Sequence, residues 1–437
     1  MTARAVTVEV LDADETGATS LRVDRAGEYN EESNGDAGAF SITVPAGSNT
    51  GWTSVDVGKL IRFKVAGTAD FTGVVEEIEK TPRSKKPANR QVRVRGRDWL
   101  VEFQDTPISP PMGVDTVPTA AEIYSDWRCP WIDTSAWPDA VFVGPVYHAD
   151  ANPLGDPWPS ADAKPGGNPR NYPDSIGGWV WGDDVDGNGS HPVDQVCYFA
   201  KDLTVDAGTL LGALTCDDSA AWSANGVLRE RGVDFPASMW EDTYALGEEV
   251  TSGTVKFRAR AVNHKTPYPN GSNLLNPGAF TATFYQPTTS TLLELSNVIA
   301  RTGPDPDGTA LVGGGWKALI TDTPPGMTWG DFYTHMFDIA QDEGYLTGWT
   351  LGFDATEDSD GNAWTARDDM VARVNDTHLG FFKQSWASGW AEVRARPGSR
   401  VLDAYVWGKR GDFWTSPGSP PAWGTSNASQ VDVTRRR

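Results

Sequence analysis

Cysteine and histidine are scarce in this sequence, which has three cysteines and five histidines among 437 residues. Cys129, Cys197 and Cys216 form no Cys-x-x-Cys pair and have no zinc-ligand spacing to a histidine, so the sequence indicates neither a zinc site nor a disulfide framework. A reduced, cytosolic folding environment fits this pattern best. Pairing of Cys197 with Cys216 across a sheet stays open at this point.

Long apolar runs are also missing. No stretch approaches the roughly 20 residues that a membrane span needs, and the start MTARAVTVEV lacks the charged segment and apolar run of a secretory signal. Positive charge is in short supply, because 37 Lys and Arg face 59 Asp and Glu, giving a formal net charge of −22. A nucleic-acid partner is therefore not expected, since phosphates would repel such a chain.

Catalytic signatures are missing as well. The sequence has no HExxH, no GxSxG, no P-loop and no GxGxxG that opens a helix, and its histidines are scattered. No pair of carboxylates stands out as the acid and base of a glycosidase. We therefore expect a protein that is not an enzyme and has no cofactor other than a candidate Ca²⁺.

Glycine, proline and tryptophan are plentiful, with 46, 30 and 19 copies. Short runs of β-branched and aromatic residues lie between turn signals, and apolar residues alternate at Phe40, Ile42 and Val44. This pattern predicts a mainly β fold with a few helices.

The chain divides by composition into five segments. We expect an antiparallel β domain over 1–108, a Pro/Gly/Trp-rich extension over 109–192, a β-sandwich over 193–287, an α+β part over 288–415 and a tail over 416–437. The sequence character of the first segment resumes after the third segment, so we predict that the sandwich is an insertion. Helices are predicted over 292–300, from the N-cap Thr328 to Gly344, and over 378–386. Turns are predicted at 358–362 and at 397–398.

One basic cluster stands out in this acidic chain, in a Pro-bounded loop between two strands. It is either a solvated hairpin tip or an arm that docks on an acidic neighbouring subunit. Its residues are Arg83, Lys85, Lys86 and Arg90.

Two segments resemble calcium loops. Asp184, Asp186 and Asn188, followed by Gly189, match the first ligands and the turn glycine of an EF-hand loop, but the twelfth position is Gln195 instead of a bidentate carboxylate. The alternative is an acidic surface turn. A second set, Asp358, Asp360 and Asn362, lacks the glycine at the sixth position and is predicted to be a hairpin turn.

A sugar site needs an aromatic face and polar groups for hydroxyls. The predicted sandwich holds these types at Trp222, Trp240, Tyr268, Asp217, Asp218, Asn225 and Asn263. The alternative is that Trp222 is a core residue and that Asn225-Gly226 is an ordinary turn.

Degenerate motifs at both ends of the chain resemble the tail-hub or minor tail proteins of siphoviruses that infect actinobacteria. The N-terminal motifs are Gly38-Ala39-Phe40-Ser41-Ile42, Val57-Gly58-Lys59-Leu60-Ile61, Phe71-x-Gly73-x-Val75 and Val94-x-Gly96-Arg97-Asp98-Trp99-Leu100; the C-terminal ones are Thr323-Pro324-Pro325-Gly326, the segment 358–364 and Leu402-x-Ala404-Tyr405. The resemblance implies a ring subunit, commonly trimeric, below the tape-measure and distal tail proteins.

The middle segment resembles a galactose-binding-like jelly roll. The motifs are Phe199-x-Lys201-x-Leu203-x-Val205, Leu214-Thr215-Cys216-Asp217-Asp218-Ser219, Asn225-Gly226-Val227, Ala261-Val262-Asn263 and Asn276-Pro277-Gly278-Ala279-Phe280. The resemblance implies a sandwich whose sugar contacts, where present, lie on variable loops.

Together these observations favour a structural protein of a bacteriophage tail tip. It would be made in the host cytoplasm, assemble with other tail proteins as a homotrimer, and contribute to host attachment through a cell-wall glycan. One rival is a cell-wall glycosidase or esterase with an accessory carbohydrate-binding domain. A second rival, a secreted carbohydrate-binding module, would need a signal peptide that the N-terminus does not show.

Overall fold

The structure is a computed structural model. It describes residues 6–23, 28–30, 37–45, 51–65, 67–80, 91–110, 122–144, 179–182, 192, 194–217, 219–228, 244–250, 253–263, 279–286, 291–295 and 312–407. The described part is mainly β, as the sequence predicts. None of its helices is both long enough and apolar enough to cross a membrane.

The strands of the N-terminal half are β1 Val6–Leu11, β2 Thr19–Leu21, β3 Glu28–Asn30, β4 Ala39–Pro45, β5 Leu60–Val65, β6 Thr68–Lys80, β7 Gln91–Asp98, β8 Glu122–Tyr124, β9 Asp139–Gly144, β10 Trp179–Trp181, β11 Gln195–Val205, β12 Gly208–Asp217 and β13 Ser219–Ala224. The C-terminal half contains β14 Val227–Leu228, β15 Tyr244–Val250, β16 Gly253–Asn263, β17 Ala279–Gln286, β18 Thr291–Leu295, β19 Val312–Ile320, β20 Met327–Thr328, α1 Trp329–Asp342, β21 Thr350–Leu351, β22 Ala366–Arg367, β23 Val371–Arg373, α2 His378–Ala387, β24 Ala391–Ala395 and β25 Val401–Val406. Two 3-10 helices span Trp52–Ser54 and Trp99–Phe103.

The chain divides into two compact units. Unit 1 combines both ends of the chain, residues 1–109, 328–365 and 375–437, and unit 2 combines 110–327 with 366–374. The long segment 110–327 of unit 2 is therefore inserted between the first two of the three segments of unit 1, and the short segment 366–374 lies between the second and third. The five segments predicted from composition stay a prediction.

A seven-stranded sheet of order β2-β1-β5-β6-β7-β4-β3 forms the first part of unit 1. β4 alternates between buried and more exposed residues, as the period of two in its sequence predicts. The sheet curls, because the ring of Tyr29 on the edge strand β3 lies 4.5 Å from the ring of Phe63 on β5, four strands away in the sheet. β6 and β7 form the predicted hairpin, whose basic tip lies outside the described residues.

Phe40 fills a slot that only glycines leave open. It lies directly opposite Gly96 in the pairing of β4 with β7. A Cβ at Gly96 would lie 1.8 Å from the carbonyl oxygen of Val74 and 2.7 Å from Phe40 Cε1, and a Cβ at Gly73 would lie 2.9 Å from the same ring. Gly73 and Gly96 therefore serve close packing of the strands and the ring.

The second part of unit 1 holds the two helices and the sheet β21-β25-β24. Thr328 Oγ1 accepts a hydrogen bond from Asp331 N at 3.0 Å, which confirms the predicted N-cap, and Thr377 caps α2 in the same way through Gly380 N. After α1 the chain passes Gly344 with a φ of 88°, the left-handed conformation that favours glycine at a helix end. The predicted hairpin at 397–398 is present between β24 and β25.

Unit 2 is built on an eleven-stranded sheet of order β14-β13-β16-β11-β19-β9-β10-β17-β12-β15, with β18 paired to β17. The rings of Phe199 on β11 and Phe280 on β17 stack at 4.4 Å although three strands separate them in the sheet. The sheet therefore folds over its own aromatic core, which also contains Trp181, Phe257 and Trp316. Cys129, Cys197 and Cys216 are buried and form no disulfide with one another.

Two sequence interpretations need correction in unit 2. The predicted helix over 292–300 is wrong, because Thr291–Leu295 forms strand β18 against β17 and 296–300 lie outside the described residues. The Pro/Gly/Trp-rich stretch, predicted as an extension over 109–192, contributes β9 and β10, which lie inside the sheet between β19 and β17.

Candidate functional site

A cavity of about 400 Å³ lies in unit 2, beside the sheet face that points away from the aromatic core. Phe199, Phe257 and Trp316 on strands β11, β16 and β19 point into the core, and neighbouring positions on the same strands face the cavity. The cavity is lined by Trp131, Ile132, Asp133, Thr134, Ser135, Ala200, Lys201, Asp202, Lys256, Arg258, Gly315 and Lys317.

Residues 131–135 belong to a segment held against this face by tryptophans. Trp127 and Trp137 form a buried cluster with Tyr198 and Ala200 of β11, with Ile132 packed against it. Trp137 N donates to Thr134 O at 3.1 Å, which closes a turn around the lining residues. The position of the segment is therefore fixed by apolar burial on both sides of the polar stretch.

An Asx-turn orients the polar end of this segment. The Asp133 carboxylate accepts a hydrogen bond from Ser135 N at 2.8 Å. The side-chain and backbone hydrogen bonds of Ser135 hold the pKa of Asp133 below its ordinary value. Asp133 is therefore a carboxylate at neutral pH and adds an acceptor to the rim of the cavity.

The strand side of the cavity is fixed by the register of three neighbouring strands. Ala200 lies opposite Arg258 on β16 and opposite Lys317 on β19, and Asp202 lies opposite Lys256. Residues paired across an antiparallel ladder point to the same face. Three cationic side chains are thereby gathered around the small side chain of Ala200.

Two of these cations have carboxylate partners. Arg258 Nη1 lies 2.9 Å from Asp202 Oδ1 and also donates to Phe257 O at 2.8 Å. Lys317 Nζ lies 2.8 Å from Asp139 Oδ1. Arg258 is only 1% exposed, and its Nε is buried with no hydrogen-bond partner in the described part of the chain.

The lining is basic in a strongly acidic protein. Four cationic residues, Lys201, Lys256, Arg258 and Lys317, line the cavity together with two acidic residues, Asp133 and Asp202. The Lys201 ammonium approaches Gly315, where a Cβ would lie 3.0 Å from its Nζ. Trp131 adds an aromatic wall, and hydroxyls follow at Thr134 and Ser135. Such a lining can bind an anion that also carries a polar ring or chain.

The sugar-site residues predicted from the sequence lie elsewhere. Trp222 is 8% exposed and stacks on Phe257 in the core. Asn225 is 1% exposed; its Oδ1 accepts from Lys256 N at 2.7 Å within a turn. Asn263 is buried and donates from Nδ2 to Pro192 O. These three side chains serve the sheet and its turns and present no open face. Of the rest, Asp217 is described only as strand backbone, and Asp218, Trp240 and Tyr268 lie outside the described residues.

The predicted calcium ligands Asp184, Asp186 and Asn188 lie outside the described residues, as do Arg83, Lys85, Lys86 and Arg90. Within the described ranges, no group of three or more His, Cys, Asp or Glu side chains is placed to hold a metal ion.

The second calcium-like segment is the predicted turn. Asp358 is 4% exposed and its carboxylate accepts hydrogen bonds from the backbone nitrogens of Asp360, Asn362 and Val406. These donors satisfy the buried carboxylate and fix the hairpin between the bridged residues Glu357 and Ala363.

The basic cavity was not predicted from the sequence. One local signal points to it: Lys256, Arg258 and Arg260 alternate with apolar residues, which places three cations on one face of a strand. Their partners come from β11, β19 and residues 131–135, and no sequence spacing links these distant segments.

No protein-family model matches the chain, and no curated protein matches it. Among solved structures, a tail protein from Neisseria meningitidis matches with a TM-score of 0.19 and 20% identity, over 25% of this chain and 28% of that chain. A prophage tail protein from Listeria monocytogenes matches with a TM-score of 0.18 and 13% identity, over 25% and 29%. The PA14 domain of an antifreeze protein matches with a TM-score of 0.16 and 17% identity, over 24% and 49%. Each of these three matches thus spans under half of either chain, and their TM-scores establish no common overall fold.

Proposed function

We propose that the chain is a structural, non-catalytic subunit of a bacteriophage tail tip, of the hub type, that takes part in tail assembly and host attachment. It would act by burying surface against neighbouring subunits. Its partners would be the distal tail protein, the tape-measure protein and other minor tail proteins, with three copies of the chain in a ring. Obligate rings of this kind bury large and partly apolar interfaces.

One observation carries the proposal: in the N-terminal motifs that resemble tail-hub proteins, several residues build the framework of unit 1. Phe40, Gly73 and Gly96 form the packed slot described above. Asp98 accepts hydrogen bonds from Gly38 N at 2.7 Å and from Leu100 N at 2.9 Å. The resemblance thus falls on positions where the fold restricts the residue type.

The C-terminal region takes part in the same unit. Trp349 Nε1 donates to Glu102 Oε2 at 2.8 Å, and Arg400 Nη2 donates to Glu102 Oε1 at 3.1 Å. Both ends of the chain therefore belong to one compact unit, and the segment 110–327 of unit 2 lies between them in the sequence. This arrangement supports a hub domain split by an inserted module.

The mass of the full chain in solution tests the proposal. We expect sedimentation velocity to give three times the 47.2 kDa chain mass, alone or after addition of a distal tail protein from the same phage. A chain that stays monomeric after addition of this partner would contradict the hub assignment. Release of reducing ends from purified cell walls would instead favour the glycosidase alternative.

The basic loop offers a sharper version of the test. If Arg83 and its basic neighbours dock on an acidic neighbouring subunit, Arg83→Glu lowers the ring fraction. Arg373→Glu is the matched control, because Arg373 is 71% exposed on unit 2 and pairs only at the surface with Glu122. Equal ring fractions in both variants would make the loop a solvated tip.

A further inference from the structure

We propose that the basic cavity of unit 2 binds an anionic saccharide, a sugar that carries a carboxylate or phosphate group. The cavity lies outside the set of sugar residues predicted from the sequence. The inference deepens the attachment part of the proposed function, and rests on it only for the biological source of the ligand, a cell-surface glycan.

The arrangement of charge is the first reason. Lys256 and Arg258 are two residues apart on the same face of β16, and Lys317 projects from β19 on the other side of Ala200. Lys256 forms no ion pair with any residue of the described ranges. Cations held this closely repel one another, and a bound anion relieves that repulsion. An anion is also attracted here in spite of the acidic chain, because salt screens charges beyond about 10 Å.

The burial of Arg258 is the second reason. Its guanidinium is held by Asp202 and Phe257 O, and its Nε has no hydrogen-bond partner in the described part of the chain. An arginine fixed in this way is already ordered before a ligand arrives, so little side-chain entropy is lost on binding. Guanidinium groups bind carboxylates and phosphates in preference to neutral hydroxyls.

The rest of the lining favours a sugar over a bare ion. The cavity of about 400 Å³ falls in the roughly 300–1,000 Å³ range of small-molecule sites, far more than one anion needs. Trp131 offers an aromatic surface for the apolar side of a pyranose, and Thr134, Ser135 and Asp133 offer groups for its hydroxyls. Together they match a ring with a charged substituent.

Isothermal titration calorimetry of the full chain tests this, with glucuronate, glucose 6-phosphate, glucose and inorganic phosphate as probes. We expect at least one anionic sugar to bind at least about 10-fold more tightly than glucose, since one charge-assisted contact is worth about that factor. A preference for glucuronate points to a uronic-acid glycan, and a preference for glucose 6-phosphate points to a phosphate-bearing polymer. Failure of both anionic sugars to bind would overturn the proposal. If inorganic phosphate binds as tightly as the anionic sugars, the cavity is a simple anion site, and the assignment of a saccharide ligand is overturned.

Variants locate the binding. Lys256→Gln should lower the affinity for the anionic sugar by about 3- to 10-fold, because it removes one cation from the lining. Arg373→Gln removes the same charge from an exposed position outside the lining and should change affinity by less than about 2-fold. Trp131→Ala should lower the affinity for sugars but leave the affinity for inorganic phosphate unchanged. Equal affinities in Lys256→Gln and Arg373→Gln would place the binding elsewhere.

The two proposals fail separately. A chain that forms the ring but binds no anionic sugar would overturn this inference and leave the hub assignment in place. A partner-indifferent monomer that binds the sugar through Lys256 would overturn the hub assignment and keep the site.

Discussion

Arg258 Nη1 donates to Asp202 Oδ1 at 2.9 Å, although the arginine side chain is 1% exposed and the aspartate side chain 48% exposed. The pair therefore joins a buried cation to a solvated anion at the edge of the basic cavity. Asp202 offsets the cost of burying the guanidinium, and it also lowers the positive potential that a ligand meets. Stability and ligand affinity are thus set in opposite directions by one carboxylate.

Asp202→Asn separates these two effects. We expect the free energy of unfolding to fall by about 1–2 kcal/mol, because half of the carboxylate is screened by solvent. We expect affinity for an anionic sugar to rise about 2- to 5-fold, since the cavity loses one negative charge. Urea denaturation measures the free energy of unfolding, and isothermal titration calorimetry measures the affinity.

Asp322→Asn is the control for that variant, because Asp322 is exposed on unit 2 and does not line the cavity. Asp322→Asn should change the free energy of unfolding and the affinity for an anionic sugar only little. A loss of affinity in Asp202→Asn would mean that the carboxylate contacts the ligand itself.

Gly96→Ala tests whether close packing around Gly96 stabilises the seven-stranded sheet. The added methyl carbon would lie 1.8 Å from the carbonyl oxygen of Val74, which is part of the backbone of β6, and 2.7 Å from the ring of Phe40. We expect the free energy of unfolding to fall by more than about 3 kcal/mol, which would be measured as a lower melting temperature or as loss of folded protein.

Gly67→Ala is the matched control on the same sheet. Gly67 has a φ of 87° and no atom within 4 Å of an added Cβ, so only backbone strain of about 1–2 kcal/mol is expected. Similar melting temperatures for the two variants would show that the close approach at Gly96 is tolerated.

Local patterns in the sequence predicted those parts of the fold that short-range physics decides. The alternation around Phe40 became a half-buried strand, and Thr328 became a helix cap because a side-chain oxygen three residues before a free backbone nitrogen needs no distant partner. Leu292 and Leu295 share a helical spacing, yet they lie in β18 because pairing with β17 decides the conformation. Strand pairing overrides local periodicity in this way when the partner strand is available.

The cavity was beyond the reach of local patterns for the same reason. Arg258 and Lys317 become neighbours only through Ala200 on a strand that lies between them in the sheet. The buried roles of Asn225 and Asn263 likewise depend on contacts with Lys256 and Pro192, which are distant in sequence. Composition found the residue types that a sugar site needs but not the strand face on which they meet.

The buried histidine of unit 1 gives a prediction about pH. His378 is 0% exposed, its Nδ1 lies 2.9 Å from the Tyr333 hydroxyl, and its Nε2 is buried without a hydrogen-bond partner in the described part of the chain. Burial lowers the pKa of His378 from 6.5 to about 3. The folded chain therefore keeps a neutral imidazole over a range in which the unfolded chain binds a proton.

The sign follows from proton binding. Between pH 6.5 and about 3 the unfolded state binds more protons at this residue, so the free energy of unfolding falls as pH falls, by up to about 1.4 kcal/mol per pH unit. His378→Asn removes the titrating group. From pH 7 to pH 5 it should lose about 2 kcal/mol less stability than the unchanged chain, as measured by urea denaturation at each pH.

His335→Asn is the control, because His335 is 39% exposed and lies 3.6 Å from Asp331 on the surface of α1. Its imidazole stays in contact with solvent in both states, so its removal should leave the steep fall in stability below pH 6.5 in place. Comparison of each variant with the unchanged chain cancels the many carboxylates that titrate in the same range. Equal pH slopes for His378→Asn and the unchanged chain would show that burial does not lower the pKa of His378 in the folded chain.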